Sequence, residues 1–321
     1  SDLRDEVARQ TGVDAPKPAQ VTRLSWKSLL MFGLTLLAAY ALIGMLAGID
    51  FAAVWKELQN ADWAWILLGF VAATVTLWTD ALVMMAAVTA PVPLWPAVQL
   101  QSSIKFVQLA VGGAAGRMAT NITFLRNFGV SASDSVTQGS VDSFTGFIVQ
   151  AVILLMALVF GNLRLIPEDA TVDVNWAMLI VLIVFAVIVS ALMVRYVPVI
   201  REKAIPAVKE MWDGLKRLAT NPQRLVRLFG WNLMSQLLFG LSLWLTAFAF
   251  GIVLPFTTAV VIYIIMALLS GLLPIPGGVG VSEATLTAGL MAAGVDESTS
   301  FAIAVVFRFS SAYLPPVAGW F

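Results

Sequence analysis

The apolar positions of this chain form long, almost unbroken runs rather than the one-sided stripe that is typical of a helix on a soluble protein. Six of these runs reach about 20 residues, the length at which an α-helix crosses the hydrocarbon core of a bilayer. Tryptophans lie near several run ends, as in the aromatic belts of membrane proteins. The pattern predicts an all-α polytopic membrane protein whose six transmembrane helices cover residues 28–48, 63–89, 136–160, 176–198, 226–251 and 298–321.

Two further apolar stretches, 97–130 and 258–295, are interrupted near their middles. The first is broken at Gly112 and Gly113, and the second by a Pro-Ile-Pro-Gly-Gly sequence at 274–278. Each arm has about 15 residues, or about 23 Å as an α-helix, whereas the hydrocarbon core is about 30 Å thick. The lengths therefore predict two re-entrant helical hairpins, each of which enters and leaves the membrane on one side.

The two broken stretches resemble each other at an offset of 165 residues. Each stretch also follows one predicted span and precedes another, so the order span, broken hairpin, span occurs twice. We interpret residues 63–160 and 226–321 as two repeat units. The coinciding residues are Gly112 with Gly277, Gly113 with Gly278, Thr120 with Thr285, Gly129 with Gly294 and Val130 with Val295.

Composition narrows the function classes. The chain has 321 residues, of which 60% are hydrophobic and only 12% are charged, with no cysteine and no histidine. These values exclude a water-soluble enzyme, a disulfide framework, Cys or His metal sites and a Ser-His-Asp triad. Lysines and arginines number 19, as do the acidic residues, which argues against a nucleic-acid partner. With no phosphate-binding loop and no evident catalytic carboxylate pair, we expect no enzyme activity, cofactor or metal.

The distribution of charge predicts the topology. The stretch 195–227 contains eight lysines and arginines but only three acids. Because cytoplasmic loops are enriched in lysine and arginine, we place this loop and the N-terminus in the cytoplasm. The first hairpin then enters from the cytoplasmic side and the second from the outer side. The two units are therefore predicted to be inverted, an arrangement that many transporters build around a midplane site.

Residues 1–25 and 199–225 lie outside both the repeat units and the predicted spans. Residues 1–25 form a polar tail, which we interpret as the end of an upstream module and its linker, before a membrane domain at 26–321. Segment 199–225 places apolar residues on one helical face and predicts an amphipathic helix on the cytoplasmic membrane surface. A regulatory or partner-binding helix is the alternative for this segment.

Seven ionisable residues lie within or beside the predicted membrane segments, where each costs about 2.5–3.5 kcal/mol or more at the bilayer centre. Arg308 is too deep in the last span to reach the interface easily. Asp142 lies at a nearly equivalent depth, so we predict that Arg308 lies within salt-bridge or one-water distance of Asp142 or of Glu283. Such a pair either locks helices together or holds a charged headgroup or a coupled proton. The seven are Asp80, Lys105, Arg117, Arg126, Asp142, Glu283 and Arg308.

The glycine breaks are the second set of candidates. A break in a helix frees backbone N–H groups at the start of the following half-helix, and such a terminus attracts anions. Irregular backbone at membrane depth is tolerated beside protein or a water-filled cavity. The alternative is close helix packing through small residues. The glycines concerned are Gly112, Gly113, Gly277, Gly278 and Gly280.

Polar residues also recur on one face of several spans. This pattern predicts a polar interior, although hydrogen bonding between helices explains any single serine or threonine equally well. The faces comprise Ser135, Gln138, Asp142 and Thr145; Asn232, Ser235, Ser242 and Thr246; and Arg308, Ser311 and Pro315.

These motifs resemble the transmembrane region of lysylphosphatidylglycerol synthase/flippase proteins and of their stand-alone relatives. The resemblance covers residues 28–321. Many relatives have an acid and then an arginine after the last glycine of the first motif, whereas here Arg117 follows Gly116 and Thr120 occupies the later position. The motifs are the stretches 112–116, 124–130 and 276–280, with Glu283, Arg308, Tyr313, Pro315 and Gly319.

The resemblance implies a flippase that moves a phospholipid or a lipid-linked headgroup between the leaflets of a bacterial cytoplasmic membrane. It does not imply lysyl transfer, because the soluble synthase domain is absent from these residues. A non-transporting membrane anchor or lipid-presenting partner of an enzyme is the alternative; a fused upstream domain and an oligomer stay open. The candidate substrate-binding residues are Arg308, Glu283, Asp142, Gly277, Gly278, Gly280, Gly112, Gly113, Arg117 and Arg126.

Overall fold

The computed structural model describes residues 51–160 except 89, 111 and 112, residues 221–315 except 273–275, and the single residues Lys209, Trp212 and Lys216. The predicted tail at 1–25, the first span at 28–48, the fourth span at 176–198 and most of the segment 199–225 therefore lie outside the described residues.

The described part of the chain contains nine α-helices and no strand. A 3₁₀ turn at Pro276–Gly278 precedes the eighth helix, and a π-helical turn at Phe309–Tyr313 follows the ninth. The helices are α1 (Phe51–Asn60), α2 (Trp63–Ala87), α3 (Leu94–Ala110), α4 (Gly113–Arg126), α5 (Ala132–Phe160), α6 (Pro222–Ala249), α7 (Phe256–Leu272), α8 (Val281–Ala292) and α9 (Glu297–Arg308).

Three helices, α2, α5 and α6, are long and apolar enough to cross a membrane. They confirm long apolar helices at the positions predicted as 63–89, 136–160 and 226–251. Polar caps fix where two of them begin. Asp62 Oδ1 accepts a hydrogen bond of 2.9 Å from the Ala64 amide at the start of α2, and Asn221 caps α6, whose first residue is Pro222.

The outer surface of α2 is apolar. Its exposed side carries large side chains, whereas its buried side is made of small residues such as Gly69, Ala72 and Ala73. In a helix of a soluble protein, large apolar side chains lie on the buried face instead. Large apolar side chains on the exposed face are typical of a helix that faces lipid and packs inwards through small residues. The exposed side chains are Trp63, Leu67, Leu68, Val71, Val75 and Trp78.

Helices α2 and α6 pack against each other along their whole length and in opposite directions. The Asp62 amide at the start of α2 donates to the Ala249 carbonyl at the end of α6, at 2.8 Å. Further along, Ser235 Oγ donates to Asp80 Oδ1 at 2.6 Å. Because the two helices are antiparallel, their C-terminal ends lie at opposite ends of the bundle.

Both interrupted stretches form pairs of helices joined at a break, as the sequence predicts. Helices α3 and α4 pack on each other, and so do α7 and α8. Each pair shares a core with the long helix that precedes it: Leu77 of α2 packs with Leu125 of α4, and Leu243 of α6 packs with Leu286 of α8. The two helix pairs therefore start from opposite ends of the bundle, because α2 and α6 are antiparallel.

The two pairs meet at their breaks. Gly277, in the 3₁₀ turn, packs directly on Leu109, which is near the end of α3. Other residues of the 3₁₀ turn also contact α3. The ends of the two helix pairs thus adjoin each other inside the bundle.

The connections from each pair to the next helix repeat at the predicted offset. The Val130 amide donates to the Leu125 carbonyl at 3.2 Å, and the Val295 amide donates to the Leu290 carbonyl at 3.1 Å. In both cases the preceding glycine, Gly129 or Gly294, has a positive φ, of 75° and 88° respectively. These bonds close the same helix-ending motif twice.

The last predicted span is not one uninterrupted α-helix over its described part. After Arg308 the backbone widens into the π-helical turn, in which the Leu314 amide donates to the Phe309 carbonyl at 2.9 Å. Such a turn inserts an extra residue into a helix and is often found at functional sites.

Candidate functional site

Arg308, the last residue of α9, is buried between the second helix pair and its own π turn. Its Nε donates to Glu283 Oε1 at 2.9 Å, and its Nη2 donates to the Gly277 carbonyl at 2.7 Å. Both charged side chains are only 8% exposed. The prediction that a nearby acid compensates Arg308 is confirmed, and the acid is Glu283.

Glu283 has hydrogen bonds at both carboxylate oxygens. Tyr313 Oη donates to Oε1 at 2.7 Å, and the Gly280 amide donates to Oε2 at 2.6 Å. The Arg308 guanidinium also lies 5.3 Å from the Tyr313 ring centroid, in cation–π range. Because Glu283 is in the first turn of α8, its charge also suits the helix N-terminus. The network ties the 3₁₀ turn, α8 and the end of α9 together.

The glycines of the turn have backbone conformations that favour glycine. Gly277, Gly278 and Gly280 have φ of 62°, 63° and 86°. A Cβ at Gly277 would lie 2.7 Å from the Leu109 side chain, and one at Gly278 would lie 2.9 Å from Ser282 Oγ. The turn therefore needs glycine for its shape and for its approach to α3, which is the close-packing role that the sequence left as an alternative.

Arg117 and Asp142 form a second ion pair, between α4 and α5. Arg117 Nη2 donates to Asp142 Oδ2 at 2.5 Å. Their side chains are 41% and 12% exposed, so this pair is more accessible than the pair of Arg308 and Glu283. Asp142 and Arg308, which the sequence suggested as a pair because of their matching depth, do not pair with each other. Asp142 pairs with Arg117, and Arg308 pairs with Glu283.

The two ion pairs are related to each other. In both, 25 residues separate the partners, and each pair joins the second arm of a broken helix pair to the helix that follows. The charges are exchanged: the first pair has the arginine on the arm and the acid on the next helix, and the second has the reverse. The sequence offset of 165 hides this relation, because it aligns Asp142 with position 307.

Two more ionisable residues lie in the interior. Asp80 on α2 accepts the hydrogen bond from Ser235 on α6. Lys105 on α3 is partly buried, and its Nζ lies 4.8 Å from the centroid of the Phe239 ring on α6. That ring stacks on Tyr263 at 5.0 Å. These contacts place both charges against the central helix α6.

The predicted polar faces point inwards. Ser135, Gln138 and Thr145 on α5 are buried, and Asn121 of α4 donates through Nδ2 to Gln138 Oε1. The members of the other two predicted faces, on α6 and from Arg308 onwards, are buried as well: Asn232, Ser235, Ser242, Thr246, Arg308, Ser311 and Pro315. The interior of this bundle therefore contains many polar side chains beside its apolar cores.

The structure divides the predicted site residues among several places. Gly277, Gly278, Gly280, Glu283 and Arg308 come together in one network, and Arg117 and Asp142 form their own pair. Arg126 is exposed at the end of α4, Gly113 is the first residue of α4, and Gly112 lies outside the described residues. The sequence analysis did not predict the bond from Tyr313 to Glu283, although both residues belong to the motifs that carry the family resemblance.

A surface pocket of about 340 Å³ lies away from these residues, where the start of α2 meets the end of α6. Within the described part of the chain, no three acidic side chains are close enough to hold a metal ion. The pocket is lined by Glu57, Asn60, Ala61, Asp62, Trp65, Phe248, Ala249, Phe250 and Gly251.

Apolar helices long enough to span a bilayer, with ion pairs beside two helix breaks, define a multi-pass membrane protein with charged and polar side chains in its interior. Residues 28–319 match the family model described as the lysylphosphatidylglycerol synthase TM region, and the chain belongs to this family. Family membership indicates a lipid-related function in the membrane. A comparison with curated proteins finds no matching sequence.

Proposed function

We propose that this protein is a lipid transporter of the flippase type, which moves a phospholipid or a lipid-linked headgroup between leaflets. One observation carries the proposal: the buried network of Arg308 and Glu283 lies at the second break, where the two broken helix pairs meet inside an apolar bundle. Charges at that depth are costly and are typical of a substrate or ion pathway.

The architecture supports alternating access. The antiparallel packing of α2 and α6 and the opposite starting points of the helix pairs suit two inverted repeat units, at about 63–160 and 226–321. The 17 residues of α3 or α7 extend about 26 Å, less than the hydrocarbon thickness of about 30 Å. We infer that both pairs are re-entrant hairpins from opposite sides and that exchanging which side is open moves the headgroup.

The proposed roles follow the charges. Arg117 and Arg308 offer donors to an anionic headgroup, and Asp142 and Glu283 balance them or accept a proton. We place the backbone N–H groups of Gly112, Gly113, Gly277 and Gly278 near the headgroup, whereas the Gly280 amide already donates to Glu283. Arg126 would attract the headgroup at the membrane surface. We place the protein in a bacterial cytoplasmic membrane with a cytoplasmic N-terminus. Transport of this kind requires neither a catalytic residue nor a cofactor from the chain.

The test is dithionite quenching of fluorescent phospholipid in reconstituted vesicles. Vesicles containing the protein should lose fluorescence beyond the outer-leaflet fraction, and Arg308→Ala should abolish that loss. Lys56→Met, on the exposed surface of α1, is the matched control and should move lipid as wild type does. Gel filtration checks that each variant is folded. A folded Arg308→Ala protein that moves lipid normally would defeat the proposed role of Arg308.

The second candidate is a membrane anchor that presents lipid to an enzyme without moving it. The complete satisfaction of Glu283 favours this reading, since a network of this kind also serves to lock helices together. Absence of movement for every tested lipid, with folded wild-type protein in the vesicles, would make the anchor the better assignment.

A further inference from the structure

The exposed side of α5 changes character along its length. Between Ser133 and Ser143 its fully exposed side chains are polar, whereas from Phe147 onwards its described exposed side chains are apolar. Ser143 and Phe147 are four residues apart and therefore lie on the same face of the helix. The polar part reaches from Ala132 to Ser143, about 16 Å along the helix axis.

Helix α4, which packs on α5, adds further hydroxyl groups to this side of the molecule. Thr123 is exposed and Thr120 is half-buried. We call the combined set of exposed and half-buried hydroxyl residues the hydroxyl surface; it comprises Thr120 and Thr123 of α4 and Ser133, Thr137, Ser140 and Ser143 of α5.

The hydroxyl groups alone do not require water. Ser143 Oγ, for example, donates to the Gly139 carbonyl at 2.8 Å, and Thr120 Oγ1 donates to the Gly116 carbonyl at 2.9 Å. A serine or threonine that bonds back to its own helix in this way is also found in membrane helices that face lipid.

Arg117 is the residue that requires water. Its side chain is 41% exposed although it is paired with Asp142. Arg117 lies about 14 Å along α4 from Arg126, the exposed last residue of that helix. A guanidinium that faces hydrocarbon so far from the helix end is unfavourable, and contact with water along the hydroxyl surface removes that cost.

The second unit has no such surface among its described residues. Phe309 follows Arg308 as Ser143 follows Asp142, and the Phe309 side chain is 57% exposed. The other exposed residues of α8, and of α9 beyond its first residue, are apolar as well: Ala288, Met291, Ala292 and Val305. Because Arg308 and Glu283 are only 8% exposed, this pair is enclosed where the first pair is accessible.

We propose that the hydroxyl surface lines a water-filled entrance, which leads from the connection between α4 and α5 to Arg117 and Asp142. Its occupants are water and small hydrophilic solutes, and it ends at Phe147, where the exposed surface becomes apolar. The described conformation is thus open to water at the first ion pair and closed at the second. The inference goes beyond the proposed transport and does not depend on it, since access of water is measured without any movement of lipid.

Substituted cysteines test the entrance, because the chain has no cysteine of its own. The full chain in membrane vesicles is treated with a charged, membrane-impermeant methanethiosulfonate, which reacts with the thiolate. Ser143→Cys should react at least about tenfold faster than Phe147→Cys, because an apolar environment disfavours the thiolate. Thr120→Cys should also react faster than Phe147→Cys, and Phe309→Cys should be as slow as Phe147→Cys.

The side of access is the second measurement. Ser143→Cys should react from the same side of the membrane as Ser133→Cys, which lies at the start of α5, and from the other side only after permeabilisation. If Ser133→Cys reacts but folded Ser143→Cys and Thr120→Cys are as slow as Phe147→Cys, lipid or another helix covers the hydroxyl surface and the proposal is wrong. Equal rates for Ser143→Cys and Phe309→Cys would contradict the difference between the two units.

The two proposals fail separately. If Ser143→Cys reacts as expected but wild type moves no lipid in vesicles, the flippase assignment is wrong and the entrance stands. If wild type moves lipid but folded Ser143→Cys and Thr120→Cys do not react, the entrance is wrong and the flippase assignment stands.

Discussion

At the scale of single residues, the two ion pairs differ in how completely their surroundings satisfy them. Glu283 accepts bonds from Arg308, Tyr313 and the Gly280 amide, and its side chain is 8% exposed. Asp142 forms its ion pair with Arg117, whose side chain is more exposed. The Glu283 network is therefore the more fully satisfied of the two, and the Arg117 pair is the one that a ligand can reach more easily.

Replacing Glu283 by alanine should destabilise the protein strongly. Removing one partner of a buried pair leaves an uncompensated charge, at a cost of about 3–5 kcal/mol. Glu283→Ala should therefore lower the melting temperature in detergent clearly more than Asp142→Ala, whose partner Arg117 reaches water. The double variant Glu283→Ala/Arg308→Met should recover part of the loss. Equal melting temperatures for Glu283→Ala and wild type would show that the network contributes little.

Gly277 and Gly278 should not tolerate enlargement. Both have positive φ, and a side chain at either would meet Leu109 or Ser282. Gly277→Leu and Gly278→Leu should therefore abolish lipid movement in the vesicle assay. Gly230→Leu is the matched control, because Gly230 is exposed on α6 and a Cβ there meets nothing within 4 Å. Normal movement by the two turn variants would show that transport does not require glycine at this turn.

The cap of α9 should make stability depend on acid pH. The side-chain and backbone hydrogen bonds that Asp296 accepts from Thr299 hold its pKa below the ordinary value of 3.8. The charged form is therefore favoured on folding, so its contribution is present above pH 3.8 and is lost as the pH falls through the lowered native pKa.

At neutral pH, Asp296→Ala should cost about 1 kcal/mol, the usual value of a helix cap. The difference in melting temperature from wild type should shrink in buffers below pH 3.8. Asp296→Asn keeps an acceptor without the charge and serves as the control, with no such change in this range. A constant difference across the series would contradict the titration of this cap.

At the scale of helices, the antiparallel contact of α2 and α6 organises the bundle. Gly69 allows the close approach: a Cβ there would lie 3.1 Å from Thr246 Oγ1 and 3.2 Å from the Ser242 carbonyl. Small residues at such a crossing are the usual means by which membrane helices pack. The same contact sets the two hairpins at opposite ends.

The register of this contact predicts one specific cross-link. The chain has no cysteine, so Gly69→Cys/Thr246→Cys introduces a single pair, placed where a disulfide can form. Oxidation should link α2 to α6 and change the mobility of a chain cleaved between them. Gly69→Cys/Ser235→Cys is the control, since Ser235 also faces α2 but lies about 16 Å further along α6. Efficient linking of the control pair would contradict the register.

At the scale of the whole molecule, the proposal requires the two hairpins to enter from opposite sides of the membrane. Ser133 follows the first hairpin and Glu297 follows the second, and both are exposed. A membrane-impermeant maleimide should label Glu297→Cys in intact spheroplasts and Ser133→Cys only after permeabilisation. Lys56→Cys should label like Glu297→Cys. Labelling of Ser133→Cys and Glu297→Cys from the same side would refute the inverted topology.

The sequence by itself determined the elements of the described region. Uninterrupted apolar runs fix the three long helices, because a bilayer requires about 20 apolar residues. Glycine and proline fix the breaks, because proline lacks an amide donor and glycine supplies positive φ. The need to compensate a buried arginine predicted a partner for Arg308, with Glu283 among the two candidates.

Only the tertiary structure decided how these elements meet. Residues far apart in sequence contact each other through packing, so the sequence did not distinguish Glu283 from Asp142 as the partner of Arg308. Tyr313, in the π turn, donates to Glu283 across 30 residues of sequence. The two ion pairs have the same spacing of 25 residues but exchange their charges. A repeat is recognised in sequence by similar residues at equivalent positions. An arginine opposite an acid therefore conceals the relation, and only the structure shows it.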